Sequence, residues 1–377
     1  MKSILLTTSA LVAFAGAAAA DGHAANDGVK FSGSASLGYN DTAAASGAAF
    51  TSYAEDSTTA VAGAARTSSK GFYWDADVKV SMSKALDNGL TAAASVGVDL
   101  ATEGATVASQ ALSAADFALS LTSETGSLYF GDTQHAAKNV WSAVGSMDQD
   151  TFRTQDGEAV LRGEAKFGGI EAQVSTGVKT ASNEADGLSV GLKAAFGSVN
   201  ASLAYQKANT LAVDGNDNGL ATRDEIMGVR LGTSIAGADI AVGYASNQTT
   251  SNNSTGISLS YPVGPVTLAA SYVDESAGQA NWDVSAEYKA GAITAKLSTD
   301  ESDDYAVEGS YDLGNGMMVF AGVSDGGQDK YIGGTYALGG GASILMSYAD
   351  DGDNDAGDEV GAKDYKNGTT VAVSFTF

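Results

Sequence analysis

The sequence predicts an all-β protein, a closed antiparallel transmembrane β-barrel. Three observations carry this. Side chains alternate with period two along most of the chain, the turns come in two kinds, and aromatic residues recur at both ends of the alternating segments. Residues 72–83 show the alternation. Phe72, Trp74, Ala76, Val78, Val80 and Met82 share one face, while Tyr73, Asp75, Asp77, Lys79, Ser81 and Ser83 share the other. That run is long enough to cross a bilayer as a tilted strand, which takes about 9–11 residues. The pattern returns at 170–175, at 282–289 and at the end, where Val371, Val373, Phe375 and Phe377 oppose Thr370, Ala372, Ser374 and Thr376.

From the N-terminus, Lys2, an apolar stretch from Ile4 to Phe14 and the run Ala18-Ala19-Ala20 form the charged start, apolar core and small-residue cleavage site of a secretory signal peptide. Residues 1–20 are therefore expected to be removed, leaving 21–377 as a single barrel domain. No other stretch approaches the roughly 20 apolar residues of a spanning helix, so a mature chain in a membrane must cross it with strands. The first strand is "VKFSGSASLGY", with Val29, Phe31, Ala35, Leu37 and Tyr39 toward lipid. Nine short turns follow: "DNGL", "ETGS", "FGGI", "FGSV", "AGAD", "YPVGPV", "YKAGAI", "YDLGNGM" and "YALGGGA". Between them lie longer acidic stretches such as "QKANTLAVDGNDNGLATRDE" and "DDGDNDAGDEVGAKDYKNG". Short turns at one end and long loops at the other are the layout of an outer-membrane barrel.

Phe167, Phe196, Tyr261, Tyr288, Tyr311 and Tyr336 each precede a short turn, whereas Tyr205, Tyr244, Tyr272 and Tyr348 precede a loop at the other end. Two such rows are expected where amphipathic rings meet the two membrane interfaces. A closed barrel pairs its last strand with its first, which accounts for a strand-like finish on Phe377. Nine short turns with that closure give twenty strands.

Composition narrows the chemistry. The 377 residues include no cysteine, so disulfides, thiolate metal sites and a cysteine nucleophile are excluded. The formal charge of -25 argues against nucleic acid as a partner. No motif places a serine beside a base, and the two histidines are His23, near the mature start, and His135, a polar loop or pore residue, so no enzyme activity is expected. No cofactor is required. A calcium ion is the single candidate, because residues 214–225 fit the D-x-[DN]-x-[DN]-G-x₅-E pattern. Asp214, Asn216, Asn218, Leu220 (through its carbonyl) and Glu225 would supply the hard oxygen ligands. The flanks read as strands and not as the helices of an EF-hand, so such a site would stiffen an exterior loop.

The stretches "FSGSASLGYN" (31–40), "LYFGD" (128–132), "YDLGNG" and "YALGGGASI" resemble the general diffusion porins, specifically the Rhodobacter-type porins of alphaproteobacteria. The resemblance implies a homotrimer of sixteen-stranded barrels in the outer membrane, passing small hydrophilic solutes and ions passively. The turn count of up to twenty departs from it and implies an enlarged relative. In that family the third loop folds inward and narrows the pore, acids on the loop facing bases on the wall. By position, residues 133–158 match this loop. Its acids Asp148, Asp150, Asp156 and Glu158 would face Lys30, Lys79, Arg162 and Lys166. Opposed charge rows across a polar pore set a transverse field that sorts solutes by size and charge. Two other readings share some of these features. One is a substrate-specific outer-membrane channel. The other, a secreted calcium-stabilised β-rich adhesin or surface protein, explains the acidic loops but not the two aromatic rows.

Overall fold

The computed structural model describes residues 28–41, 71–102, 113–154, 157–179, 183–209, 222–302, 304–352, 360–361, 363 and 365–377. The expected signal peptide, Asp156 and residues 214–220 lie outside the described residues. The sheet begins with β1 (Gly28–Asn40), β2 (Gly71–Ala85), β3 (Thr91–Thr102), β4 (Ser113–Thr122) and β5 (Gly126–Asp132). It continues with β6 (Ala159–Phe167), β7 (Ile170–Val178), β8 (Ala185–Phe196), β9 (Val199–Gln206) and β10 (Ile226–Ile235). Then come β11 (Ala238–Asn247), β12 (Asn252–Val263), β13 (Val266–Glu275), β14 (Asn281–Ala290) and β15 (Ile293–Asp300). The circuit ends with β16 (Tyr305–Gly314), β17 (Met317–Ser324), β18 (Asp329–Gly339), β19 (Ala342–Asp350) and β20 (Gly368–Thr376).

Neighbouring strands pair antiparallel around the circuit, and β20 closes on β1 with Leu37 opposite Val373 and Tyr39 opposite Val371. Closure leaves no open edge, so the ladders satisfy the backbone within the membrane. The sixteen strands implied by resemblance are thus corrected to the twenty of the turn count. The reason is local, since each of the nine glycine-rich turns closes a hairpin among the described residues. At 315–316, for instance, Asn315 and Gly316 both adopt positive φ (52° and 80°), as a two-residue hairpin of matching twist requires.

The outer face carries a belt of exposed apolar side chains, with Leu231, Val242, Ile257 and Tyr272 side by side on four successive strands. Phe167, Phe196, Tyr261, Tyr288, Tyr311 and Tyr336 are exposed at the short-turn rim, and Tyr244, Tyr272 and Tyr348 at the other. One expected lipid-facing residue differs. Val78 is only 5% exposed. The Phe377 ring stands over Gly33, the cross-strand partner of Val78, and the two chain segments exchange backbone hydrogen bonds of 2.9 and 3.1 Å.

Buried apolar residues gather inside the barrel. Val140, Val144, Met147 and Phe152 come from the segment between β5 and β6, and Ala204, Ile226, Ala245 and Val273 from the strand faces beneath it. That segment contains the single α-helix among the described residues, α1 (Ala136–Val140). The core of this molecule is therefore a loop packed onto the inner wall.

Candidate functional site

Residues 133–154 leave β5 and cross the inner wall instead of extending outward. A five-residue helix cannot sustain itself in water, and its first free N–H groups need partners. The wall supplies them. Ser175 Oγ on β7 accepts from the Ala136 N–H and Ser189 Oγ on β8 from the Ala137 N–H, both at 2.8 Å. Further along, Asn139 donates to Gln173 (2.9 Å), and Asn281 on β14 donates to the Ser146 carbonyl (2.7 Å). On the return, the Asp148 N–H donates to Glu275 (2.9 Å), the Gln149 N–H to Ser254 (3.0 Å) and the Arg153 N–H to Gln206 (3.0 Å). The segment is thus fastened from β7 to β14 and back to β9.

Glycines in the lumen phase make the seat. A Cβ at Gly191 would lie 2.5 Å from the Ala136 carbonyl oxygen, and one at Gly228 2.5 Å from the Trp141 ring. Gly243 and Gly256 lie the same way beneath Val144. Isolated glycine in a strand signals such close backbone approach. The glycines are visible in the sequence, but which residue of the inward segment each one faces is not.

Both ends of the segment meet in a buried polar cluster. His135 Nε2 lies 3.3 Å from Glu158 Oε1, and Arg223 Nη2 lies 3.3 Å from the same oxygen. Arg223 Nη1 also contacts His135 Nε2. His135 Nδ1 is 3.0 Å from Ser175 Oγ. Burial, ahead of all other influences, pushes the His135 imidazole below its ordinary pKa. A neutral ring with its proton on Nδ1 donates to Ser175 and accepts from Arg223, which satisfies both neighbours. Ser175, His135 and Glu158 stand in the order of a hydrolytic triad, but all three are buried, and Ser175 Oγ also accepts the Ala136 N–H.

The residues expected at a constriction therefore separate. Glu158 and Arg162 are buried at the root of the segment, where Arg162 Nη1 donates to the Gln134 carbonyl at 2.7 Å. Their expected exposure to the pore is corrected, because both charges are used to anchor the segment. Asp150 is half-buried and accepts from Trp141 Nε1 at 2.7 Å; burial raises its carboxyl above the usual range. Asp148, Lys30, Lys79 and Lys166 are exposed. Lys30 and Lys79 stand on β1 and β2, and β1 is ten strands round from β11, halfway about the closed sheet and opposite the segment. Lys166 stands on the segment's own side and pairs with Glu164 at 2.8 Å. Together with Lys193 and Arg230, neither singled out by the sequence, it lines a recess of about 530 Å³ beneath Val140 and Trp141. A second recess of about 430 Å³ adds Asp239 and Asp283. The lumen is polar and charged, and the outer surface is apolar.

The profile of the Gram-negative porin family matches residues 7–357. The chain belongs to the Gram-negative porin family. This porin is an outer-membrane channel, a water-filled barrel through which small hydrophilic solutes and ions diffuse. It is similar to solved structures of substituted Rhodopseudomonas blastica porins. One has 10% identity and a TM-score of 0.45, covering 93% of this chain and 100% of that one. Another has 12% identity and a TM-score of 0.43, with the same coverage. No curated protein sequence matches the porin. Of the expected calcium ligands only Glu225 is among the described residues, and it accepts the Tyr205 hydroxyl at 2.8 Å.

Proposed function

We propose that residues 133–158 are the constriction of this porin, and that it is a general diffusion channel and not a substrate-specific one. The observation that carries this reading is the fastening of the segment across the inner wall from β7 to β14. A transverse field would run between Asp148 and Asp150 on the segment and Lys30 and Lys79 on the facing wall, ordering water and sorting solutes. The Ser175–His135–Glu158 cluster is a fastening and not a catalyst. Assembly is as a homotrimer, supported by the small outer-face residues Ala35, Ala76, Ala92 and Ala94, which permit close approach of another barrel. A heat-sensitive oligomer in detergent is its readout. Calcium binding at 214–225 is a loop-stiffening site at most, with Glu225 shared with Tyr205.

The test is conductance with a series of uncharged solutes. Removing residues 142–149 while keeping the anchors His135 and Glu158 should raise conductance and admit larger solutes. A variant that folds but keeps the wild-type conductance and size cutoff would place the constriction elsewhere. Saturation of flux by one solute class would favour the substrate-specific channel.

A further inference from the structure

A second group of residues folds into the lumen, on the side that the first segment leaves bare. Phe320 on β17 and Tyr331 on β18 point inward, opposite in phase to the exposed Val319 and Ile332. Aromatic rings are out of place on the wall of a water-filled pore. Here they are covered. Tyr365, from the connection between β19 and β20, lies parallel to Phe320 with centroids 4.7 Å apart and an interplanar angle of 11°. It also leans on Tyr331 at 4.8 Å. Val360 and Tyr365 exchange two backbone hydrogen bonds of 3.0 Å, and Val360 is buried in the same cluster with Ala349.

Two close approaches hold this arrangement. A Cβ on Gly322 of the wall or on Gly361 of the connection would run into the Tyr331 ring. The Tyr331 hydroxyl donates to Glu308 on β16 at 2.7 Å. Beyond the rings, Lys366 Nζ stands 4.9 Å over Tyr73 on β2, and Asn40 on β1 donates to the Asn367 carbonyl at 2.9 Å. The contacts run from β16 through the closure to β2, whereas the first segment is fastened to β7–β14. The two share almost no wall.

Barrel diameter grows roughly linearly with strand number, so twenty strands enclose a lumen about a quarter wider than sixteen would. One inward segment then covers only part of the circumference. We propose that Val360, Gly361, Tyr365 and Lys366 form a second inward element that narrows the porin from the opposite side, with Tyr365 as a size-determining residue. The proposal rests on the porin being a diffusion channel but not on the first segment being its constriction.

The test uses conductance and solute cutoff of Tyr365→Ala, alone and together with removal of 142–149. Tyr365→Ala should shift the cutoff to larger solutes in both backgrounds. If removing 142–149 alone changes nothing while Tyr365→Ala still acts, the first segment's role fails and this proposal stands. A cutoff unchanged by Tyr365→Ala relative to the parent in each background overturns it. Since the chain has no cysteine, Tyr365→Cys offers a second route should the alanine variant not fold. Maleimides of increasing size attached there should lower the current stepwise. Complete labelling with unchanged current also overturns the proposal. Tyr348→Cys, exposed on the outer face, is the control in which labelling leaves the current unchanged.

Discussion

At the scale of single residues, the porin depends on charges that no water reaches. Glu158 and Arg223 are both buried and pair at 3.3 Å. Removing one partner of such a pair leaves the other uncompensated and costs about 3–5 kcal/mol, while replacing both by apolar groups is often close to neutral. Arg223→Met should therefore loosen the root of residues 133–158, read as faster proteolysis of that segment and noisier single-channel current. Arg223→Met with Glu158→Met should be milder than the single change; an equal or worse double variant would show that the pair is not what holds the root. His135 adds a dependence on pH. Its folded pKa lies below the unfolded value because burial disfavours the charged ring. The contribution is then fully present above the ordinary histidine value of about 6.5 and is lost as pH falls from there toward the depressed folded value. Asp150 has the opposite sign. Its raised pKa makes its contribution complete in acid and lost as pH rises through the folded value, so acid does not loosen that contact. Current noise should consequently rise on acidification, and noise that stays flat from about pH 7.5 to pH 5 would remove His135 from the account.

At the scale of elements, strands and turns were legible in the residues, the inward segment only through the family resemblance, and its packing not at all. Period two marks a strand wherever one face meets lipid and the other water, and a glycine turn marks a hairpin, so counting turns gave the right strand number where resemblance did not. The burial of Glu158 and Arg162 is not legible in the sequence, because alternation tells which side of the wall a residue faces but not what covers it. Phe320 and Tyr331 carried a signal, aromatics in the lumen phase, whose meaning depended on a connection more than thirty residues away from Phe320. The glycine seat gives a direct test of the packing. Gly256→Val would drive a side chain into Val144, and it should displace the segment and raise mean conductance. Gly309→Ala, where the nearest atom is 3.6 Å from an added Cβ, should leave the channel as it is. If both behave alike, the wall glycines are not a seat. Strand phase has its own test. Leu231→Arg puts a charge on the exposed apolar belt and should destabilise by about 2–4 kcal/mol near the bilayer midplane. Ser258→Arg, facing the lumen, should cost far less, and equal losses in chemical unfolding would mean the phase is wrong. Val78 is a poor site for that experiment because it is covered.

At the scale of the whole molecule, the question is which sign of ion the pore prefers. The formal charge is -25, and acids stand in the lumen phase at Asp75 and Asp77 on β2 and at Asp99 on β3, and line the recess at Asp239 and Asp283. Against them, Lys166, Lys193 and Arg230 gather in one recess beneath the inward segment. A long-range field sums over all charges and favours cations, whereas a local cluster acts only on ions that pass close to it. The two contributions separate by salt. The screening length shrinks from about 10 Å at 0.1 M to about 3 Å at 1 M, so a preference set by the summed charge fades across that range while a contact-range one survives. The expected result is a reversal potential showing weak cation selectivity at low salt that vanishes at high salt. Removing the cluster as Lys193→Ala with Arg230→Ala should deepen the cation preference at low salt. Strong anion selectivity at low salt would mean that those basic residues stand across the conduction path itself, and that the acids of the facing wall do not set the field.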